Sequence, residues 1–223
     1  SAPSQGINAL NAAMVALTAL HAQRETFRER DTVRIHPIIT KGGDLVNVVP
    51  ADVRMETFVR AKTAEAIEEA DRKLNRALRA GAMAVGGRVR ITTLPGYMPL
   101  VNDKPMADLF KRNALALMEP AEYVEGGHRT GSTDMGDVTH IMPAIHPFAG
   151  GARGTSHGSD YEVENLSVAC LDPAKAMAMT VVDLLCGDAS VGREIVATSK
   201  PLMSKAEYLA FLRRMNSEVV YQD

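Results

Sequence analysis

The chain has 223 residues, 25 Lys and Arg against 27 Asp and Glu, and a net charge of −2. With ten Phe and Tyr and no Trp, it has neither the basic surface nor the stacking platform that nucleic-acid binding requires. A content of 46% hydrophobic and 23% charged residues is that of a globular chain with a core, and the length suits one large domain or two small ones at roughly 100 to 200 residues each.

Residues 1–23 carry no Lys, Arg, Asp or Glu, but Gln5, Asn8, Asn11, Thr18 and His21 interrupt the apolar run and there is no basic leader, so a membrane span or signal peptide is not expected. The chain opens without a Met on a helix signal, which reads as the interior of a longer protein. Ile7, Leu10, Met14 and Leu17 recur at helical spacing, and the alanines beside them would let another helix approach closely. Val33 and Ile35, then Val53, Met55, Thr57 and Val59, alternate with charged neighbours as half-buried strands, with Lys41 to Asp44 as a turn between them.

Thr63 can cap a second helix, with Glu65, Glu68 and Glu69 early and Lys73, Arg76 and Arg79 late; Glu68–Arg72 and Glu69–Lys73 are i,i+4 pairs. Arg88 to Thr93 alternates as another strand. The order α-β-β-α-β is a βαββαβ ferredoxin-like unit without its first strand, an α/β (α+β) reading with a four-stranded antiparallel sheet and two helices. Such a unit could recruit the missing strand from a neighbour.

Residues 1–98 carry 14 basic and 10 acidic side chains, and residues 99–223 carry 11 and 17. The change falls at the Pro/Gly-marked stretch Leu94 to Pro99, which predicts a hinge between a segment 1–96 and a segment 97–223. Helices are expected over Pro105–Met118, Pro173–Leu185, Val191–Thr198 and Lys205–Met215. Cys170 and Cys186 have no CxxC spacing and read as reduced core thiols.

Residues 126–161 hold four of the six histidines and eight of the seventeen glycines, the composition of a loop region that carries chemistry on a rigid scaffold. Gly154-Thr155-Ser156-His157-Gly158 has the GxSxG pattern of a nucleophile elbow, but Ser159-Asp160-Tyr161 does not start a helix and no His follows His157, so Ser156 is not read as a nucleophile. His140, His146 and His157 with Asp134, Asp137 or Asp160 could ligate a metal, although no local motif fixes the set; the competing reading is that they are loop residues bonded to backbone.

The run Gly42-Gly43-Asp44-Leu45-Val46-Asn47-Val48-Val49-Pro50 followed by Phe58-Val59-Arg60, the run Gly131-Ser132-Thr133-Asp134-Met135-Gly136-Asp137-Val138, and Gly154-Thr155-Ser156-His157 together resemble the aminoacylase/carboxypeptidase G metallopeptidase superfamily. The Asp-Met-Gly-Asp-Val run and Tyr161 are most similar to its amidohydrolase branch, the one that contains the aminobenzoyl-glutamate hydrolases. The resemblance spans about Pro3 to Tyr208 and implies a lid and dimerisation domain over 1–96, then the C-terminal part of an α/β zinc-peptidase-like catalytic domain over 97–223.

It further implies that His157 is a metal ligand. Asn47 and Arg60 would face a substrate carboxylate or the transition-state oxygen, often across a dimer, and Gly131, Ser132 and Thr133 would form a turn that touches substrate. The other ligands and the general-base glutamate of relatives lie upstream of the lid, so the resemblance places no catalytic base in these 223 residues and makes the chain alone inactive. For the intact protein it implies hydrolysis of an N-acyl amino acid or aminobenzoyl-glutamate-like amide with two divalent ions, Zn or Mn, a cytoplasmic location, and a homodimer formed through the lid. The alternative is a dimerisation or binding module without catalysis, in which the alanine-rich first helix packs between subunits.

Overall fold

The computed structural model describes residues 2–222. Their contacts divide into two compact units, one of residues 2–99, 130–132 and 206–222 and one of residues 100–129 and 133–205.

In the first unit α1 (Ala9–Ala22) starts where the Asn8 side chain accepts hydrogen bonds from the backbone N–H groups of Leu10 and Asn11. Its buried residues are Ala13, Ala16 and Leu20, whereas Ile7 and Met14 are more than half exposed. The apolar row expected to face the core therefore gives way to the alanine row. The reason lies in α2 (Ala64–Ala84), which buries Ala66, Ala70, Leu74, Ala77 and Gly81 and whose small side chains let α1 lie close against it. The small residues of α1 that could have served a neighbouring subunit thus pack within the unit.

Thr63 caps α2 as expected, accepting from the N–H of Ala66 at 3.2 Å. Glu69 and Lys73 pair at 3.1 Å and Glu68 and Arg72 at 4.0 Å. Leu20, Ile35, Ala70, Leu74 and Ala77 form the core, with Phe27, Val33, Val59 and Leu78 around it.

The unit also holds short strands: β1 (Arg34–Ile35), β2 (Ile38–Lys41), β3 (Arg54–Glu56), β4 (Val59–Arg60) and β5 (Arg88–Thr93). Burial alternates residue by residue from Asp52 to Arg60, the half-buried period-two pattern that the sequence predicts. The pairing differs from the four-stranded sheet expected. β1 pairs antiparallel with β4, and β2 with β3 across an irregularity between Ile39 and Lys41, giving separate two-stranded ladders among the described residues. Lys41 belongs to β2 rather than to a turn, and the β2–β3 connection is the long loop 42–53.

β5 pairs along its whole length with the C-terminal strand β8 (Ser217–Gln222), Arg88 opposite Gln222 through Thr93 opposite Ser217. Arg79 of α2 lies over the Tyr221 ring at 4.2 Å, and Thr92 donates to Glu218 at 3.2 Å. The preceding α6 (Lys205–Met215) matches its expected span, and its Arg214 bonds Glu68 of α2 at 2.6 Å.

In the second unit Asp103 caps α3 (Lys104–Leu115), with Pro105 in the first turn where its missing N–H costs nothing. α3 packs on α5 (Asp172–Thr198) through Phe110, Ala114 and Ala176. Buried Asn113 donates to Thr180 at 3.1 Å and to Asp183 at 2.9 Å, so its amide is not left without a partner. A five-residue π-turn, Ser167–Leu171, leads into α5, and the backbone leaves helical angles at Cys186, Gly187, Asp188 and Ala189. Two helical pieces expected from the sequence therefore meet at this break. Cys170 and Cys186 are free but exposed, which corrects their reading as core thiols; one precedes α5 and the other sits in the break. Among the described residues no helix is long and apolar enough to cross a membrane.

Candidate functional site

Asn47 lies in loop 42–53 and is exposed. That loop closes back on the unit: the Pro50 carbonyl accepts from the N–H of Ala9 at 2.8 Å. Gly43 is at φ +141°, and a Cβ there would stand 3.2 Å from the Pro50 ring, so the second glycine of the signature has a steric reason. Lys41 and Arg54 both reach Asp52 at the loop's base, at 3.2 and 3.0 Å. Arg54 first, then Lys41, hold the Asp52 carboxyl below the usual carboxylate range, and Asp52 and Asp44 raise Lys41.

Arg60 ends β4 on its exposed face, with its guanidinium carbon 5.4 Å from the centre of the Phe58 ring. Directly across the ladder stands Arg34. Arg60 and Asn47 thus belong to the same unit, and Gly131 and Ser132 cluster with it, while Thr133 and His157 belong to the other.

Thr133 begins a feature the sequence did not show. Its carbonyl accepts from Gly136 at 3.0 Å and its hydroxyl donates to Asp134 at 3.1 Å, opening a short helix, α4 (Met135–Ile141). The Asp-Met-Gly-Asp-Val run is the helix start, where Asp137 in the first turn suits the positive end. The Thr133 hydroxyl ahead of an apolar-periodic run was the available signal. His140 on α4 is 3% exposed, with Nδ1 2.9 Å from the Gly136 carbonyl oxygen; it is a satisfied core histidine. The His146 ring stacks on Phe148 at 5.2 Å, and its Nδ1 is buried without a hydrogen-bond partner among the described residues.

His157 lies at the tip of a hairpin. β6 (Ala152–Arg153) pairs with β7 (Glu162–Val163), and Arg153 bonds Glu162 across them at 2.6 Å. The connecting loop 154–161 is folded on itself: Gly158 N–H donates to the Thr155 carbonyl at 2.7 Å, and Thr155 N–H to the Asp160 carboxyl at 3.3 Å. Gly154 sits at φ +84°, where a Cβ would fall 2.2 Å from the Asp160 carbonyl oxygen, so only glycine fits. His157 is exposed and itself left-handed, at φ 67°. Ser156 shares this loop, followed by turns and β7 rather than a helix, and has no elbow geometry.

Among the described residues no three His, Cys, Asp or Glu side chains come together as a metal site. His140, His146, His157, Asp134, Asp137 and Asp160 are therefore not assembled into one, and the residues present do not by themselves fit a bound ion.

Residues 1–84 match the family described as Peptidase dimerisation domain. The chain is 31% identical over 191 residues to the Xaa-Arg dipeptidase of Mus musculus, covering 82% of this chain and 44% of that protein. It is 30% identical over 193 residues to the Xaa-Arg dipeptidase of Homo sapiens, covering 83% and 44%. The chain spans less than half the length of these relatives. The dimerisation-domain match over its first 84 residues and the dipeptidase likeness support the resemblance to the aminoacylase/carboxypeptidase G superfamily, without singling out the aminobenzoyl-glutamate branch.

Proposed function

We propose that this chain is the lid and the C-terminal portion of a metal-dependent amidohydrolase that cleaves the amide of a dipeptide or an N-acyl amino acid. One observation carries the reading: the likeness to the mouse Xaa-Arg dipeptidase covers 82% of this chain and so runs well beyond the first 84 residues that match the dimerisation domain. Arg60 offers a planar fork and Asn47 an amide to a substrate carboxylate. Gly131, Ser132 and Thr133 contribute the turn against the substrate, and His157 supplies one ligand to a divalent ion, zinc or manganese. When bound, that ion provides an activated water and a polarised carbonyl.

A catalytic zinc site ordinarily takes three protein ligands, so the chain by itself is catalytically silent, its Asn47, Arg60 and Gly131 to Thr133 serving recognition and its His157 giving one ligand. The test joins the amino-terminal half of the mouse relative to this chain and assays dipeptides ending in Arg, with N-acyl amino acids beside them. Metal-dependent hydrolysis by the joined protein and none by the chain alone is the expected result. Turnover by the purified chain with added Zn²⁺ or Mn²⁺ would overturn the silent-fragment reading.

A second reading, a homodimerisation module, is favoured by the dimerisation-domain match over residues 1–84. Sedimentation at several concentrations tests it: a metal-free dimer supports it, and a monomer throughout rejects it.

A further inference from the structure

The β1–β4 ladder sets Arg34 directly opposite Arg60, and Ile35 opposite Val59. Opposite residues of an antiparallel pair project from the same face with Cβ atoms about 4.5–5.5 Å apart, and like charges in that position destabilise the sheet. Ile35 is 1% exposed and turns to the core, whereas both arginines lie on the exposed face. Several cations of the unit have acidic partners: Lys41 and Arg54 have Asp52, Lys73 has Glu69, and Arg72 and Arg214 share Glu68.

Arg34 and Arg60 have no carboxylate at ion-pair distance among the described residues. Arg34 donates to its neighbour's carbonyl, Val33, at 3.0 Å, and Arg60 rests on Phe58. That ring, itself 73% exposed, restrains the Arg60 guanidinium without neutralising it. Two guanidiniums rooted on directly opposed residues, neither with a carboxylate partner, repel each other, and an anion between them would relieve that repulsion. An amide substrate with a free C-terminal carboxylate provides such an anion and can be held by a fork on each side.

We propose that Arg34 is a second carboxylate-binding residue and that Arg34 and Arg60 together form a two-armed clamp for the substrate's carboxylate. This rests on the reading of Arg60 under the proposed function and adds to it a residue on another strand.

The experiment follows the thermal midpoint of the purified full chain at low ionic strength, with N-acetylglycine as the probe and uncharged N-acetylglycinamide as the control at matched ionic strength. The natural chain is expected to be stabilised by the acid and not by the amide. Arg34→Gln and Arg60→Gln should each lose most of that shift, and each should raise the midpoint in the absence of the acid, because removing either cation relieves the repulsion. A residue with a merely structural role would lower the midpoint instead. Arg34→Lys keeps the charge but not the fork; it should lose most of the acid-specific shift while retaining the low-salt penalty.

An acid-specific shift that survives Arg34→Gln but not Arg60→Gln would overturn the clamp and leave the single-arginine reading standing. No acid-specific shift in the natural chain would also overturn it, while the hydrolysis assay of the joined protein would still decide the function itself.

Discussion

Gly81 of α2 touches Ala16 of α1: a Cβ built on Gly81 would stand 2.7 Å from the Ala16 methyl and 2.3 Å from the Ala12 carbonyl oxygen. Gly in a helix interior is ordinarily about 1 kcal/mol worse than Ala. At this crossing the sign reverses, because the new methyl meets backbone that cannot step aside. Gly81→Ala is expected to destabilise the chain by roughly 1–3 kcal/mol, read from urea unfolding; a gain in stability would show that α1 and α2 do not lie this close.

Burial raises the Asp71 carboxyl above its ordinary value, against the weaker opposing effects of Asn75 and Arg72. A carboxyl whose folded pKa is raised contributes stability that is fully present below its unfolded pKa and is lost as pH rises through the folded one. Near neutrality the folded state therefore carries an ionised group that it solvates poorly. Asp71→Asn should raise the thermal midpoint at pH 7 and lose that advantage once the pH falls below the ordinary carboxylate range.

Asp52 has the opposite sign. Arg54 and Lys41 lower its pKa, so its contribution is present above the unfolded value and disappears as pH falls through the lower, folded value. Since the group is exposed, the effect on global stability is small and should be local. Hydrogen exchange in residues 42–53 is expected to speed up, relative to α2, as the carboxyl protonates, and Asp52→Asn should abolish that pH dependence.

The left-handed backbone of His157 predicts a separation of stability from function. A non-glycine residue there costs about 1–2 kcal/mol, so His157→Gly should leave the chain as stable or more stable by thermal melting. A loss of stability would mean that the imidazole holds the hairpin together rather than waiting for a ligand.

Much of the helical framework was legible because its signals are local. Thr63 and its two i,i+4 ion pairs, the span of α6, and the two pieces of α5 follow from caps, periodicity and the Cys186–Gly187 interruption. Less legible was what depends on a partner distant in sequence. The buried face of α1 is its alanine row only because Gly81, some 65 residues away, lets the helices close. β8 is a strand because β5 lies ready to pair with it, and its run Ser217 to Gln222 has little signature of its own.

The motifs nominate Asn47, Arg60, Gly131–Thr133 and His157, but whether residues share a ladder face is a matter of register. A single-residue slip would have turned Arg34 away from Arg60, so alternation along each strand does not by itself pair the two. The buried side of His140 was also not to be read from spacing, since α4 itself was hidden in a run that looked like a plain turn.

The most direct test of the central claim, that this chain completes a metal-dependent amidohydrolase through His157, is the turnover of the joined protein with His157 and with His157→Gly, after equal folding has been verified by circular dichroism. A metal ligand predicts a fall in kcat of at least about 100-fold. Unchanged turnover in the His157→Gly protein would contradict it.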